Sequence, residues 1–246
     1  MNIITLEETA STNTALRAMP DAPHATVVAA RRQTAGRGQR GNTWESEPEK
    51  NLTFSILVRP SCIPPVRQMA ISRAVSLAIV RWLDRYLPEG EEASIKWPND
   101  IYVGDRKICG ILIEHVLTSG RIDRTVIGAG INVNQALFRS DAPNPVSLTQ
   151  LTGRTYPLDA MLEEVTRDIV DLVEAEDRAA GILTERDYME RLWRREGFHP
   201  YRDAAGCFDA AIDSVASDGT LTLRRLDGTV SAYAFKEVAA IIEDRK

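Results

Sequence analysis

Residues 33–44 read Gln-Thr-Ala-Gly-Arg-Gly-Gln-Arg-Gly-Asn-Thr-Trp, a segment that places three glycines and two arginines within six residues and ends on an indole. Glycine lets the backbone approach a ligand closely, and guanidinium groups donate paired hydrogen bonds to carboxylate and phosphate oxygens. The segment is therefore suited to wrapping a small, multiply charged anion. A solvated, charged surface loop is the alternative that its composition leaves open.

The same glycines, Gly36, Gly38 and Gly41, match the G-x-G-x-x-G fingerprint of dinucleotide-binding folds. That fold requires a helix that opens at the loop and an acidic residue about 20 positions later. The chain instead continues into an alternating strand at residues 52–58, and it has Arg-Pro-Ser-Cys at residues 59–62. We therefore set the dinucleotide-binding fold aside.

Hydrophobic periodicity in the first 196 residues predicts helices and a meander of strands. We expect helices at residues 14–19, 66–87, 158–176 and 185–196, and strands at residues 25–30, 52–58, 93–97, 101–103, 107–117 and 123–133. Beyond residue 197 the pattern changes to short strands, expected at 207–215, 220–226, 230–235 and 238–242. Hairpin-linked strands of this kind are typical of a small SH3-like β-barrel. We therefore predict one domain over residues 1–196 and a second over residues 197–246.

The composition is that of an ordinary globular protein, with 43% hydrophobic and 26% charged residues. The sequence contains no apolar stretch near the 18 or so residues that cross a bilayer, and its N-terminus lacks the regions of a secretory signal. A net charge of −5 argues against a protein that coats nucleic acid. We expect a cytoplasmic protein that binds neither membrane nor nucleic acid.

A local positive charge stands out against this acidic background. Residues 31–41 contain no acid and four arginines, which are Arg31, Arg32, Arg37 and Arg40. That potential favours a small polyanion such as a nucleoside triphosphate.

Cysteine and histidine usage indicates neither a metal cluster of the His/Cys kind nor redox chemistry. Cys62, Cys109 and Cys207 are far apart, lack C-x-x-C spacing, and are expected to be small buried or semi-buried residues. The three histidines are scattered, and His115 lies in an apolar run that favours a structural role.

Four segments carry most of the residue types that bind or transform ligands, and each lies at the end of a predicted strand or the start of a helix. They are Ser11-Thr12-Asn13, residues 33–44, Lys96-Trp97-Pro98-Asn99-Asp100 followed by Lys107, and Gly128-Ala129-Gly130-Ile131-Asn132. Such positions let a rigid scaffold direct side chains into one cleft.

Two of these motifs suit a bound nucleotide, and each has a structural alternative. Asp100, beside Asn99, can supply oxygen to Mg²⁺ when phosphates complete the coordination, or the pair can form an Asx-turn next to a buried tryptophan. Lys107 begins an otherwise apolar strand, where its ammonium can stabilise charge in phosphoryl transfer, or it can extend to the surface.

The order of these motifs, from S-T-N through K-W-P-N-D and R-K-I-C-G-I-L-I-E to G-A-G-I-N, closely resembles the biotin protein ligases, also called biotin–[acetyl-CoA-carboxylase] ligases. The resemblance implies an α+β fold, in which a mixed-sheet, biotin/lipoate ligase-like catalytic domain is followed by the SH3-like barrel. It implies ATP-dependent formation of biotinyl-5′-AMP and transfer of biotin to a lysine of a biotin carboxyl carrier domain, by a monomer or homodimer that uses Mg²⁺.

Residue by residue, the resemblance implies overlapping sets of ligand contacts. Biotin would be bound by Ser11, Thr12, Asn13, Gln33, Arg37, Gly38, Gln39 and Lys107, and ATP by Arg37, Arg40, Trp44, Asn99, Asp100, Lys107 and Asn132. The catalytic residues would be Lys107, Arg37 and Asp100, with Asp100 also the ligand of Mg²⁺. Small hydroxyl and amide groups suit the neutral ureido ring of biotin, whereas arginines suit phosphates.

The chain departs from the family pattern in two places, and it starts close to the first motif. Many relatives carry arginine at the position of Gln39, so we expect looser retention of the adenylate, which Gln39→Arg would reverse. Relatives often have Gly-Glu-Val where this chain reads Phe235-Lys236-Glu237-Val238. The DNA-binding domain of bifunctional members has no counterpart before Ser11, so operator binding is not expected.

Two other functions stay open at this point. A lipoate ligase shares the architecture and the adenylate chemistry, although the glycine-arginine segment and Lys-Trp-Pro-Asn-Asp argue against it. A non-catalytic adaptor that uses the barrel to bind partners would release no pyrophosphate in response to biotin.

Overall fold

A computed structural model gives the fold of residues 1–38, 42–139 and 144–242, and this part of the chain contains two β-sheets and five α-helices. The helices are α1 (Thr12–Arg17), α2 (Met69–Asp84), α3 (Leu148–Thr152), α4 (Leu158–Arg178) and α5 (Glu185–Glu190). The strands are β1 (Asn2–Thr9), β2 (Thr26–Gln33), β3 (Leu52–Val58), β4 (Ala93–Lys96), β5 (Asp100–Val103), β6 (Arg106–Thr118), β7 (Arg121–Ile131), β8 (His199–Asp203), β9 (Gly206–Val215), β10 (Leu221–Arg225), β11 (Val230–Tyr233) and β12 (Ala239–Ala240).

The larger sheet has seven strands in the order β1-β2-β3-β7-β6-β5-β4. The β1–β2 pair is parallel and the remaining pairs are antiparallel, so the sheet is mixed. Helix α2 packs on α4, and both contact strands of the sheet, while α1 contacts β2, β3 and β7. The predicted α+β fold is confirmed.

Strand β3 lies inside this sheet, between β2 and β7, and is buried along its whole length. The predicted apolar face is confirmed, because its alternate residues Leu52, Phe54, Ile56 and Val58 all belong to the main core. The opposite face is buried as well, and Ser55 on that face is fully inaccessible to solvent. The Ser55 hydroxyl bonds Thr12 and Asn13, two residues of the candidate site described below.

Two predicted helices are shorter in the structure. Residues 65–67 form a 3₁₀ turn held by i→i+3 bonds, so α2 begins at Met69 instead of residue 66 and ends at Asp84. Helix α5 ends at Glu190, because the following residues leave the helix and pair along the edge strand β4. The Ile95 amide donates to the Arg191 carbonyl at 2.7 Å, and the Trp193 amide donates to the Ile95 carbonyl at 2.8 Å. Covering an open sheet edge in this way satisfies its backbone groups.

Three elements lie outside the sequence prediction, namely β1, α3 and β8. Strand β1 is a half-exposed sheet edge, β8 contains a proline, and α3 has only five residues, so none has a clear hydrophobic period. A capping box does mark α3: the Ser147 hydroxyl accepts from the Gln150 amide, and the Gln150 side chain accepts from the Ser147 amide. Most other boundaries shift by one to three residues, and the last strand shrinks from residues 238–242 to Ala239–Ala240.

The C-terminal strands form a separate antiparallel sheet in the order β11-β10-β9-β8-β12. Its small core contains Tyr201, Ala210, Leu221, Leu223, Tyr233 and Val238. The turns between β9 and β10 and between β10 and β11 contain Gly219 and Gly228, and both glycines have positive φ, which glycine adopts without steric cost. Closure of this sheet into an SH3-like barrel and the boundary at residue 197 stay predictions.

Two cysteines are more exposed than expected. Cys109 is buried in the core, but Cys62 and Cys207 are exposed because they lie in a surface loop and at the start of β9. His115 bonds the Thr125 hydroxyl across the sheet at 2.8 Å, and burial lowers its pKa below the usual value. Within the described ranges, no helix is both long enough and apolar enough to span a membrane.

Candidate active site

A cavity of about 1060 Å³ lies between the larger sheet and the C-terminal sheet. Eleven of the thirteen predicted site residues line it: Ser11, Thr12, Asn13, Gln33, Arg37, Gly38, Trp44, Asn99, Asp100, Lys107 and Asn132. The other two, Gln39 and Arg40, lie outside the described residues. The four sequence segments therefore meet in one place, as expected, while the individual roles of their residues stay predictions.

One end of the cavity is a network of neutral polar groups around the start of α1. The Thr12 amide donates to Gln33 Oε1 at 2.8 Å, and the Ser55 hydroxyl lies 2.8 Å from Thr12 Oγ1 and 2.5 Å from Asn13 Oδ1. Gly128, which pairs with Ser55 across β3 and β7, makes room for this network, since a Cβ there would lie 2.1 Å from Asn13 Oδ1. Hydroxyl and amide groups of this kind match a neutral ligand with donors and acceptors.

Next to this network, the cavity is lined by the indole of Trp44, which packs directly on the backbone of two glycines. Gly110 and Gly130 pair across β6 and β7, and a Cβ on either would lie within 2.9 Å or 2.4 Å, respectively, of the Trp44 ring. The ring therefore rests directly on the two glycines. Its Nε1 is buried against the sheet and has no hydrogen-bond partner among the described residues.

A lysine–carboxylate pair lies beside the indole. Lys107 Nζ is 2.7 Å from Asp100 Oδ2, and their side chains are 26% and 29% exposed. The same ammonium lies 5.8 Å from the centroid of the Trp44 ring. Lys107 thus faces the cavity instead of extending along the surface.

Lys96 adds a second ammonium to the cavity. It belongs to the Lys-Trp-Pro-Asn-Asp motif but is not among the predicted site residues. It lines the cavity, and it lies 5.3 Å from the centroid of the Tyr102 ring. Burial lowers the pKa of Lys96 below its usual value, and the carboxylate of Asp100 acts in the opposite sense. Two lysines beside one carboxylate leave this part of the cavity with a positive potential, which favours a bound anion.

Arg31, Arg32 and Arg37, the described arginines of the basic stretch at residues 31–41, pair with acids in three different places. Arg31 pairs with Asp159 at 2.9 Å and Arg32 with Glu8 at 2.9 Å, so acids from distant parts of the chain neutralise both. Arg37 lines the cavity, and its Nη2 lies 3.4 Å from Glu114 Oε2.

The two asparagines in the predicted nucleotide set are anchored by the backbone. Asn99 donates to the Ile111 carbonyl at 2.8 Å, and Asn132 donates to the Val146 carbonyl at 3.1 Å. Asn132 Oδ1 is buried and has no partner among the described residues, so it is an acceptor available to a ligand.

The C-terminal sheet closes the cavity from the other side. Trp97, which precedes a cis peptide bond to Pro98, donates from Nε1 to the Gly219 carbonyl at 2.9 Å and packs edge-on against Phe235. The wall from this sheet comprises Tyr201, Ile212, Leu221, Phe235, Lys236, Val238, Ala239 and Ala240. Sequence analysis missed this wall, because nothing in the short strands marks which side faces the other domain.

Comparison with known proteins places this geometry in a family. The model of the biotin/lipoate A/B protein ligase family matches residues 5–132, about half of the chain. The chain belongs to this family. The matched range contains every predicted site residue, from Ser11 to Asn132.

Two curated relatives of this ligase-family chain are similar at about the same level. The bifunctional ligase/repressor BirA of Bacillus subtilis is 32% identical over 150 residues, which cover 59% of this chain and 45% of that protein. The biotin–[acetyl-CoA-carboxylase] ligase of Paracoccus denitrificans is 30% identical over 163 residues, which cover 64% of this chain and 67% of that protein. The chain spans about half the length of the BirA relatives that it matches.

A solved structure shares the whole fold. The biotin protein ligase from Aquifex aeolicus, in complex with biotin and ATP, matches with a TM-score of 0.80 over 98% of this chain and 99% of that chain. Its sequence identity to this chain is 22%, so the likeness establishes the fold and leaves the chemistry to the residues of the cavity.

Proposed function

We propose that this chain is an ATP-dependent biotin ligase, which forms biotinyl-5′-AMP and transfers biotin to a lysine of a biotin carboxyl carrier domain. The observation that supports it most is the cavity itself, in which a neutral polar network, an indole and the Lys107–Asp100 pair lie side by side. The relatives named as biotin ligases and the Aquifex complex with biotin and ATP agree with this assignment.

The neutral network suits the ureido ring of biotin. Thr12, Asn13 and Gln33 line that end of the cavity, together with Ser11 and Gly38. We assign them the biotin contacts, with Gln39 from outside the described residues. The carboxylate of biotin then lies toward Lys107.

The cationic side suits the triphosphate. In the first step a carboxylate oxygen of biotin bonds to the α-phosphorus, and the bond from that phosphorus to the bridging oxygen breaks, so that pyrophosphate leaves. The carboxylate is ionised at neutral pH, so the protein has to position two anions and reduce their repulsion. We assign that role to Lys107 and Arg37, with Arg40 contacting phosphate, and place Trp44, Asn99 and Asn132 against the nucleoside.

Asp100 suits a divalent cation held jointly with phosphates. Mg²⁺ commonly takes one or two carboxylates and completes its coordination with phosphate oxygens and water. One oxygen of Asp100 pairs with Lys107, which leaves Oδ1 for a metal. The described residues contain no cluster of three or more His, Cys, Asp or Glu side chains that could hold a metal by themselves. When bound, Mg²⁺ would neutralise charge on the triphosphate.

In the second step the neutral amine of the acceptor lysine bonds to the acyl carbon and releases a proton, the acyl–phosphate bond breaks, and AMP leaves. The partner is therefore a carrier domain that presents one lysine to the cavity. We assign catalysis to residues 1–196 and closure of the cavity to residues 197–246, supported by the separate core of the C-terminal sheet. The cytoplasmic location, the absence of a nucleic-acid partner, and a monomer or homodimer stay predictions.

The test is incubation with labelled biotin, ATP, Mg²⁺ and a purified biotin carboxyl carrier domain. We expect biotin-dependent release of pyrophosphate and label on the carrier. A parallel reaction with lipoate in place of biotin separates the ligase classes of this family. Preference for lipoate, or the absence of pyrophosphate release with either acid, would overturn the proposal.

A further inference from the structure

Glu114 holds three groups at the border of the cavity, and none of the roles above accounts for it. Its Oε2 accepts from Asn13 Nδ2 at 3.0 Å and from Arg37 Nη2 at 3.4 Å, and its Oε1 accepts from Arg17 Nη1 at 2.8 Å. The carboxylate is 25% exposed. One side chain on β6 thus connects α1 with the glycine-arginine segment.

The hydrogen bonds of Asn13 use both of its N–H donors, so only its acceptor oxygen can serve a ligand in the cavity. One N–H of its amide donates to the Leu112 carbonyl at 3.3 Å and the other to Glu114, so both donors are used. Its Oδ1 accepts from Ser55 and keeps a second lone pair. Asn13 is 3% exposed and lines the cavity, so it offers a ligand an acceptor and no donor.

The orientation of this amide depends mainly on Glu114. The Ser55 hydroxyl can rotate to donate or to accept, so it suits either orientation of the amide. The bond to the Leu112 carbonyl is the longer of the two, whereas the bond to Glu114 has an ionised acceptor, and such bonds are roughly twice as strong as neutral ones.

We propose that Glu114 is a positioning residue of the biotin subsite: it turns the acceptor of Asn13 toward a ureido N–H and holds Arg37 against the sheet. The inference deepens the proposed function and depends on it for the identity of the ligand. Without the carboxylate, only the longer bond to the Leu112 carbonyl opposes a rotation of the amide by 180°, which would present an N–H to the N–H of the ligand, and Arg37 loses its anchor.

Two substitutions separate the two parts of this role. Glu114→Gln keeps an oxygen that can accept from Asn13 but loses the charge that holds Arg37, and Glu114→Ala loses both. Arg17→Ala is the matched control, because Arg17 contacts the same carboxylate on the exposed side and does not line the cavity.

The first readout is the Kd for biotin by calorimetry without ATP, followed by the KM values for biotin and ATP. Loss of one hydrogen bond in a buried site is worth about tenfold in affinity. We expect Glu114→Ala to raise Kd and KM for biotin by about tenfold, and Glu114→Gln and Arg17→Ala to keep both values within about threefold of the wild type. Wild-type affinity in Glu114→Ala, or an equal loss in the glutamine and alanine variants, would overturn the role at Asn13.

The second readout needs no ligand. Limited trypsin digestion, with cleavage after Arg37 followed by mass spectrometry, reports how firmly that residue is held. We expect faster cleavage in Glu114→Ala and in Glu114→Gln than in the wild type and Arg17→Ala, and unchanged rates would overturn the role at Arg37. If the wild type binds no biotin, the proposed function fails, and the digestion still decides whether Glu114 holds Arg37.

Discussion

Replacing Gly130 by alanine should displace the indole of Trp44 and weaken binding of ATP. A Cβ at Gly130 would lie 2.4 Å from both Nε1 and Cε2 of that ring, whereas non-bonded carbons rest about 3.5–4.0 Å apart. The ring must therefore move by about 1 Å. Overpacking of this kind costs about 1–3 kcal/mol, and about 1.4 kcal/mol is a factor of ten in affinity. We expect KM for ATP to rise by about tenfold or more.

The assay is biotin-dependent release of pyrophosphate with ATP as the varied substrate, combined with thermal unfolding of each variant. Gly110→Ala provides a graded comparison, because a Cβ there would lie 2.9 Å from Cζ3 of the same ring and requires a smaller displacement. The rise in KM for ATP should therefore be larger for Gly130→Ala than for Gly110→Ala.

A double-mutant cycle shows whether the indole is the group that the new methyl meets. In a Trp44→Ala background the methyl of Gly130→Ala has no ring to displace, so we expect it to change KM for ATP by less than about twofold. An equal effect of Gly130→Ala in both backgrounds would refute the reasoning. So would a wild-type KM for ATP in Gly130→Ala itself.

Three further predictions concern catalysis and stability. Lys107→Ala and Arg37→Ala should each slow adenylate formation in single-turnover pyrophosphate release by at least about tenfold, since a loss of about 1.4 kcal/mol suffices; a wild-type rate would exclude the assigned role. Asp177→Ala should lower the free energy of unfolding by about 1–3 kcal/mol, because its carboxylate accepts from three consecutive backbone N–H groups, whereas Asp171→Ala on the exposed side of α4 should be neutral. Burial acts to raise the pKa of Asp177, but the backbone N–H groups outweigh it and hold the pKa below its usual value. The stability contributed by Asp177 is therefore complete above about pH 4 and is lost as the pH falls through the lowered pKa. Urea titrations of the wild type and the variant at pH 7 and pH 3 measure this loss. Lys236→Gly should raise Tm by about 2–4 °C in calorimetry, because Lys236 has a φ of 76°, a conformation that costs a side chain about 1 kcal/mol.

Local hydrophobic patterns predicted most of the larger sheet and its long helices. Strand β3 has the predicted bounds, and α4 begins at the predicted residue, because both have a clear period that packing preserves. Strand β1 was missed, because it pairs in parallel with β2 across an intervening helix and half of its residues face solvent. The end of α5 depends on pairing with β4, a contact about 100 residues away in sequence that no local pattern encodes.

The site residues that lie in sequence motifs could be predicted from the sequence, whereas the site residues between motifs could not. Ser55 belongs to an apolar strand, and its position under Asn13 follows from the register of β3 with β7. The sequence did contain one indication of these buried contacts. Gly128 and Gly130 are two residues apart, so they leave two positions without side chains on the same face of β7. Bare positions on a buried face indicate that large groups lie against them, and here those groups are Asn13 and Trp44.

Two cations of the cavity, Lys107 and Arg37, are paired with carboxylates in a way that anionic substrates can replace. Lys107 lies 2.7 Å from Asp100 and Arg37 lies 3.4 Å from Glu114, and the four side chains are 25–46% exposed. Ion pairs that are this exposed to solvent contribute about 0–1 kcal/mol. They hold the side chains in place, and breaking them when a substrate binds costs little free energy. In the proposed reaction a triphosphate brings several charges at once and forms charge-assisted bonds to the same groups. The two carboxylates would then orient the cations before binding without competing strongly with the substrates, which accounts for acids in and beside a cavity proposed to hold two anions.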